Sequence, residues 1–178
     1  LLSLNGVEEV FLSGGLYGSY PANQYKIIGD ITVESNETLI LEPGTKFLFD
    51  GEYIFNVFGT IIANGSELDS IIFDNFNDSL RWKGIHIENA NDLTEFKYVR
   101  VSNAQKPLIG GGMYIDNSNP KLSNMIISGN NAINGGGIYL YNSSPIINNI
   151  NITNNHANYA GGGIYFDYNS NPVLSNIT

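Results

Sequence analysis

The chain has no cysteine, so neither a disulfide framework nor thiol chemistry is open to it. Charge is scarce too. Asp, Glu, Lys and Arg make up 14% of the 178 residues, against about a quarter in an ordinary globular domain. Only eight residues are Lys or Arg, they are scattered, and the formal net charge is −9, which argues against nucleic acid and anionic membranes as partners. No apolar run reaches transmembrane length, so no membrane insertion is expected, and the opening Leu1-Leu2-Ser3-Leu4 is too short for the apolar core of a signal peptide. No GxSxG motif, nucleotide-binding loop or metal-ligand spacing occurs. The residues therefore call for no cofactor and no metal, and they nominate no catalytic group by motif.

What the chain has instead is 26 asparagines, 20 glycines and a period. Glycine triplets begin at Gly110, Gly135 and Gly161, and Pro120, Pro145 and Pro172 follow them at nearly the same steps. A period of 25 to 27 residues is one supersecondary unit, which cannot bury its own apolar face and must stack on its neighbours. Within each repeat, apolar residues alternate with polar ones at the period of a strand: Met113 and Ile115, Ile138 and Leu140, Ile164 and Phe166 on one side, Tyr114, Tyr139 and Tyr165 on the other. After each proline come Leu122, Met125 and Ile127, then Ile147, Ile150 and Ile152. Gly, Pro and Asn stand at the corners between these runs.

Three short strands per coil, stacked coil on coil, make an all-β, single-stranded right-handed parallel β-helix, with like strands about 4.8 Å apart. The chain is long enough for about seven such coils in one domain. A leucine-rich repeat competes, because Ile147, Ile150, Ile152 and Asn155 fit LxxLxLxxN. Its other half would need a helical segment where this chain has three glycines and a strand. Asn124, Asn149 and Asn176, each four residues after a proline, are expected to form an inward ladder in which every amide satisfies the next.

Residues 1–24 show no repeat and carry turn signals at Gly14, Gly15, Gly18 and Pro21, so they read as an N-terminal lead-in or cap. Residues 25–178 read as the β-helix, first in irregular coils and then in regular ones. Ile85 and Ile87 stand 28 residues before Met113 and Ile115, while Phe96, Val99 and Val101 stand 26 before Leu122, Met125 and Ile127. That register puts Tyr98 in the column of Asn124. The sequence stops within a repeat, which leads us to expect a piece of a longer chain continued beyond Thr178.

With these columns in place, the chain resembles secreted or surface right-handed β-helix proteins of the pectate-lyase-like fold. The resemblance rests on GDITVESNETLILEPGTKFLF, FGTIIANG and WKGIHI in the first half. The second half is similar to polymorphic outer membrane protein repeats, through GGGM at Gly110, GGGI at Gly135 and Gly161, and IxxN at Ile127–Asn130 and Ile152–Asn155. Glycine and isoleucine replace that family's alanine and phenylalanine. The resemblance implies an extracellular or cell-surface location. Polygalacturonase-like signatures are absent, and neither Arg81 nor Arg100 has the dense acidic neighbourhood of a pectate-lyase-like calcium site.

Enzymes of this fold place catalytic groups on the outward face of one sheet. Here that face would carry His86 and Glu88, Tyr114 and Asp116, Tyr139 and Tyr141, Tyr165 and Asp167. Aromatic rings flanked by acids suit contact with a carbohydrate. The same acids, one and two levels apart, overlap the carboxylate spacings of glycosidases. His86 beside Glu88 reads as a lone exposed histidine, and His156 as a turn residue. Sequons at Asn36, Asn64, Asn77, Asn142, Asn151 and Asn176 are candidate glycosylation sites. The expected function is a non-enzymatic secreted or surface scaffold for adhesion or assembly, with a carbohydrate or cell-surface ligand as candidate partner. The alternatives are a polysaccharide-active hydrolase or lyase using Glu88, Asp116 and Asp167, and a subunit that self-associates end to end through its open coils.

Overall fold

The computed structural model describes residues 9–77 and 79–178. Alternation becomes architecture directly: in Ile85–Glu88 and Met113–Asp116 the residues are in turn buried and half-buried. Every pairing between the described strands is parallel, and beyond Val10–Gly15 each joins a strand to its counterpart about one repeat later. The result is an all-β parallel solenoid with no helix among the described residues.

Three faces run along it. The first stacks Phe55–Val57, Ile85–Glu88, Met113–Asp116, Ile138–Tyr141 and Ile164–Asp167 in unbroken register. The second stacks Thr38–Leu41, Thr60–Asn64 and Glu95–Lys97. The third stacks Lys46–Phe49, Ile71–Asn75 and Val99–Ser102. Lys121–Ser128 and Ile146–Thr153 each cross from the second face to the third through a bend. The solenoid makes about six turns rather than seven, since seven stacked levels enclose six intervals. Val10–Gly15 and Gly18–Tyr20 already pair in parallel with Gln24–Val33 and Thr38–Leu41. The ladder therefore starts inside the segment assigned to a lead-in or cap, whose first eight residues lie outside the described ones.

The 28- and 26-residue offsets match the observed register, with Ile85 opposite Met113, Phe96 opposite Leu122 and Val101 opposite Ile127. Three strands per coil is not the whole account. Asn131–Asn134 and His156–Ala160 form a separate two-stranded parallel sheet, extended downward by bridges to Gln105 and Ile109. His156 thus opens a strand rather than a turn.

The core is one continuous column. Its lower part is aromatic, with Tyr25, Phe47 and Phe73 meeting edge to face at 5.6 and 5.8 Å, the arrangement their quadrupoles favour. Its upper part is aliphatic, from Met113 and Ile115 to Ile147 and Ile150. The glycine triplets serve two needs at once. Gly135 has φ +62°, and a Cβ on Gly136 would meet the His156 carbonyl at 2.3 Å. Adjacent levels approach there too closely for any side chain.

Candidate functional site

The expected inward ladder is corrected by the structure. Asn124, Asn149 and Asn176 do stack by level, but on the outside of the bend between the second and third faces, at φ of 51°, 54° and 52°. Asn124 is half-buried and the other two are exposed. The reason lies in the spacing: Leu122 and Met125 both face the core three residues apart, one more than alternation allows. The extra residue takes the left-handed conformation that asparagine tolerates better than most residues. Asn149 still donates from Nδ2 to Asn124 Oδ1, while Asn176 donates instead to Asn148.

The inward amides are those of the IxxN signature. Asn130 is 1% exposed. Its Oδ1 accepts from the Ala104 N–H at 2.9 Å, and its Nδ2 donates to the Val101 carbonyl and to Asn155 Oδ1. Asn155 repeats the pattern one level on, donating to the Ile127 carbonyl at 2.8 Å. A second polar column was missed altogether. Ser143 Oγ accepts from the Ser118 N–H at 3.1 Å, and Ser170 Oγ from the Ser143 N–H at 3.2 Å. These serines stand two residues before Pro120, Pro145 and Pro172, so the proline period held the signal.

On the outward side of the first face, the register places Glu88 and Asp116 one level apart, and Asp116 and Asp167 two. The aromatic column is continuous. His86 stacks on Tyr114 at 4.7 Å, Tyr114 meets Tyr139 at 5.6 Å, and Tyr139 stacks on Tyr165 at 5.2 Å. It is less open than alternation implies, because the first glycine of each triplet passes beside it: Gly110, Gly135 and Gly161 lie against the Cβ atoms of Tyr114, Tyr139 and Tyr165. Tyr139 is only 6% exposed. Tyr141, by contrast, is 37% exposed and stacks at 5.6 Å on Tyr168, which is 61% exposed.

The acids beside the column are already engaged. Asp116 accepts from the Tyr114 hydroxyl and from Asn117 Nδ2, each at 2.8 Å. Asp167 accepts from the Tyr139 hydroxyl and the Tyr168 N–H. Those two bonds, the tyrosine's first, hold the Asp167 carboxyl below its ordinary range. Burial, followed by the same hydrogen bonds and neighbouring charges, pushes the Tyr114 and Tyr139 hydroxyls up.

His86 is not the exposed histidine that its strand position suggested. Its Nε2 is shielded from solvent without a hydrogen-bond partner among the described residues, 3.8 Å from Glu88. The Lys106 ammonium lies 5.0 Å from the centre of the Tyr114 ring. Burial first, and then the Lys106 charge, lower the His86 pKa from 6.5 to about 4, with Asp116 opposing. Above pH 6.5 the imidazole is neutral in both folded and unfolded chains. As pH falls from 6.5 to about 4, the unfolded chain takes up a proton that the folded one refuses, so stability declines across that window and no further below it. His86→Phe should flatten this decline in urea unfolding between pH 4 and 7. An unchanged slope would assign it to other groups.

Among the described residues, no three His, Cys, Asp or Glu side chains gather as a metal site requires, and no helix is long and apolar enough to cross a membrane. Of the sequon asparagines, Asn64 is half-buried and donates to Glu95 at 3.2 Å, while Asn36, Asn77, Asn142, Asn151 and Asn176 are exposed.

Stacked parallel levels with amide and hydroxyl columns at the corners define a β-solenoid. The family model described as "Right handed beta helix region" matches residues 23–178, and the chain belongs to that right-handed β-helix family. No curated protein and no solved structure gives a match.

Proposed function

We propose that this β-helix is a non-enzymatic scaffold, secreted or displayed at a cell surface, whose first face holds a carbohydrate in adhesion or assembly. The observation that carries the reading is the exposed Tyr141–Tyr168 stack beside Asp167. The stacked pair leaves aromatic surface open to a sugar face, and the fixed carboxylate accepts its hydroxyls. The β-helix family holds enzymes as well as adhesins, and the state of the carboxylates favours the second. A glycosidase acid needs a raised pKa so that it still carries a proton. Asp167 is shifted the other way, and Asp116 spends both oxygens on Tyr114 and Asn117.

The reading is tested on a glycan array. A Tyr141→Ala, Tyr168→Ala double variant is expected to lose about tenfold or more in affinity for whatever the wild type retains. The Glu88→Gln, Asp116→Asn, Asp167→Asn triple variant serves as the enzyme control. If the wild type depolymerises a polysaccharide and the triple variant does not, the scaffold reading fails.

A further inference from the structure

The bend between the second and third faces changes character along the solenoid. At the level of Thr60–Asn64 the chain leaves the ladder in the loop Gly65–Ser70 before rejoining at Ile71. At the next level the whole connection is one residue, Tyr98, and above it Asn124, Asn149 and Asn176 do the same work. Tyr98 has φ +51°. A bulky aromatic in the left-handed region is a genuine outlier, and every other occupant of this column is an asparagine. Its backbone holds it there: the Tyr98 N–H donates to the Ser123 carbonyl and its carbonyl accepts from the Ile71 N–H, both at 3.1 Å. The ladder sets the backbone and leaves the choice of side chain open, so the fold would be served at least as well by asparagine. Strain retained where a relaxed residue is available points to use of the side chain.

The surroundings say what that use is. Tyr98 lines a groove along the outside of the bend, with Arg100, Asn124, Asn149 and Asn151 along it and Glu67 and Ser70 from the loop as one wall. The loop is built rather than loose. Ser66 Oγ accepts from the Asp69 N–H at 3.0 Å, and the Asp69 carbonyl accepts from the Gly44 N–H at 3.0 Å. The Asn149-to-Asn124 bond leaves the Asn124 amide protons and the Asn149 oxygen without a partner among the described residues. A half-buried ring with the Lys97 ammonium 5.8 Å from its centre, free amide donors and acceptors repeating at the strand spacing of about 4.8 Å, and one guanidinium set against one carboxylate form a surface rich in hydrogen bonds and low in net charge. We infer that this groove is a second binding site, separate from the first face, for an uncharged extended oligosaccharide, with Tyr98 as the ring on which one sugar packs.

The test separates strain from use. Wild type, Tyr98→Asn and Tyr98→Phe, each also made in the Tyr141→Ala, Tyr168→Ala background, are titrated calorimetrically with cellohexaose, maltohexaose and xylohexaose, with polygalacturonate as the charged comparison, and each unfolding midpoint is measured. Tyr98→Asn is expected to raise the midpoint by roughly 2–4 °C while weakening binding of a neutral hexasaccharide about tenfold or more. Tyr98→Phe should keep the binding, and the same ranking of the Tyr98 variants should hold in the Tyr141→Ala, Tyr168→Ala background. The inference is overturned if no neutral hexasaccharide binds at millimolar concentration, if polygalacturonate alone binds, or if Tyr98→Asn binds as wild type. A midpoint that falls in Tyr98→Asn would make Tyr98 a packing residue and overturn it equally.

Discussion

Trp82→Ala should destabilise the chain by about 3–5 kcal/mol, the largest loss expected from any single side-chain truncation in the lower half. Trp82 does not belong to a strand. It sits in the excursion between Ile71–Asn75 and Ile85–Glu88, yet it is 0% exposed. Its place follows from a gap in the ladder: the register sets Asn75 opposite Phe49, and an amide cannot cover that ring as another aromatic would. Trp82 turns in from the loop and stacks on Phe49 at 4.3 Å and 13°. Its Nε1 donates to the Ser102 carbonyl at 2.8 Å, and its own N–H donates to Asn75 Oδ1 at 3.1 Å. Truncation removes the stack, opens a cavity and orphans a buried carbonyl. Trp82→Phe keeps a ring over Phe49 and loses only the indole bond, so its cost should be nearer 1–3 kcal/mol. Guanidinium unfolding followed by circular dichroism ranks the two. Equal costs would mean that the hydrogen bond, not the packing, holds the loop.

Trp82 also marks how far a sequence reading reaches. The period, the triplets and the offsets of 26 and 28 residues are legible because stacking demands that like residues recur, and the observed register follows them residue by residue. Tyr98 falls in the asparagine column for the same reason. Whatever departs from recurrence is harder to read. Trp82 occurs once and acts across a loop. Tyr139 is buried with Gly135 lying against its Cβ, and the path of a connecting segment leaves no mark on alternation. The direction of Asn124 escapes alternation because the strand bends at that residue. The serine column had the right period but looked like turn composition. For the candidate site, the column of His86, Tyr114, Tyr139 and Tyr165 was legible as a list. Its closure by Lys106 and by the glycine-triplet segments was not.

The two asparagine columns make opposite predictions, and Asn130→Ala carries the larger. Removing this amide orphans the Ala104 N–H, takes a second donor from the Val101 carbonyl and cuts the link to Asn155. At roughly 1–3 kcal/mol for the buried N–H left unpaired and about 1 kcal/mol for each of the two other bonds lost, the loss should be about 3–5 kcal/mol. Asn130→Asp offers no rescue, since the carboxylate could still accept from Ala104 but would set a buried charge against the Val101 carbonyl. In the outer column the demand is on the backbone. Asn124→Gly supplies the left-handed angle at no steric cost and gives up one solvent-exposed amide bond, so it should change stability by only a few tenths of a kcal/mol. The contrast, read from guanidinium unfolding of the two variants side by side, decides which column is the spine. If Asn124→Gly proved the more damaging, the levels would be held from outside at the bend. The buried contacts of Asn130 would then be a consequence of stacking rather than a cause.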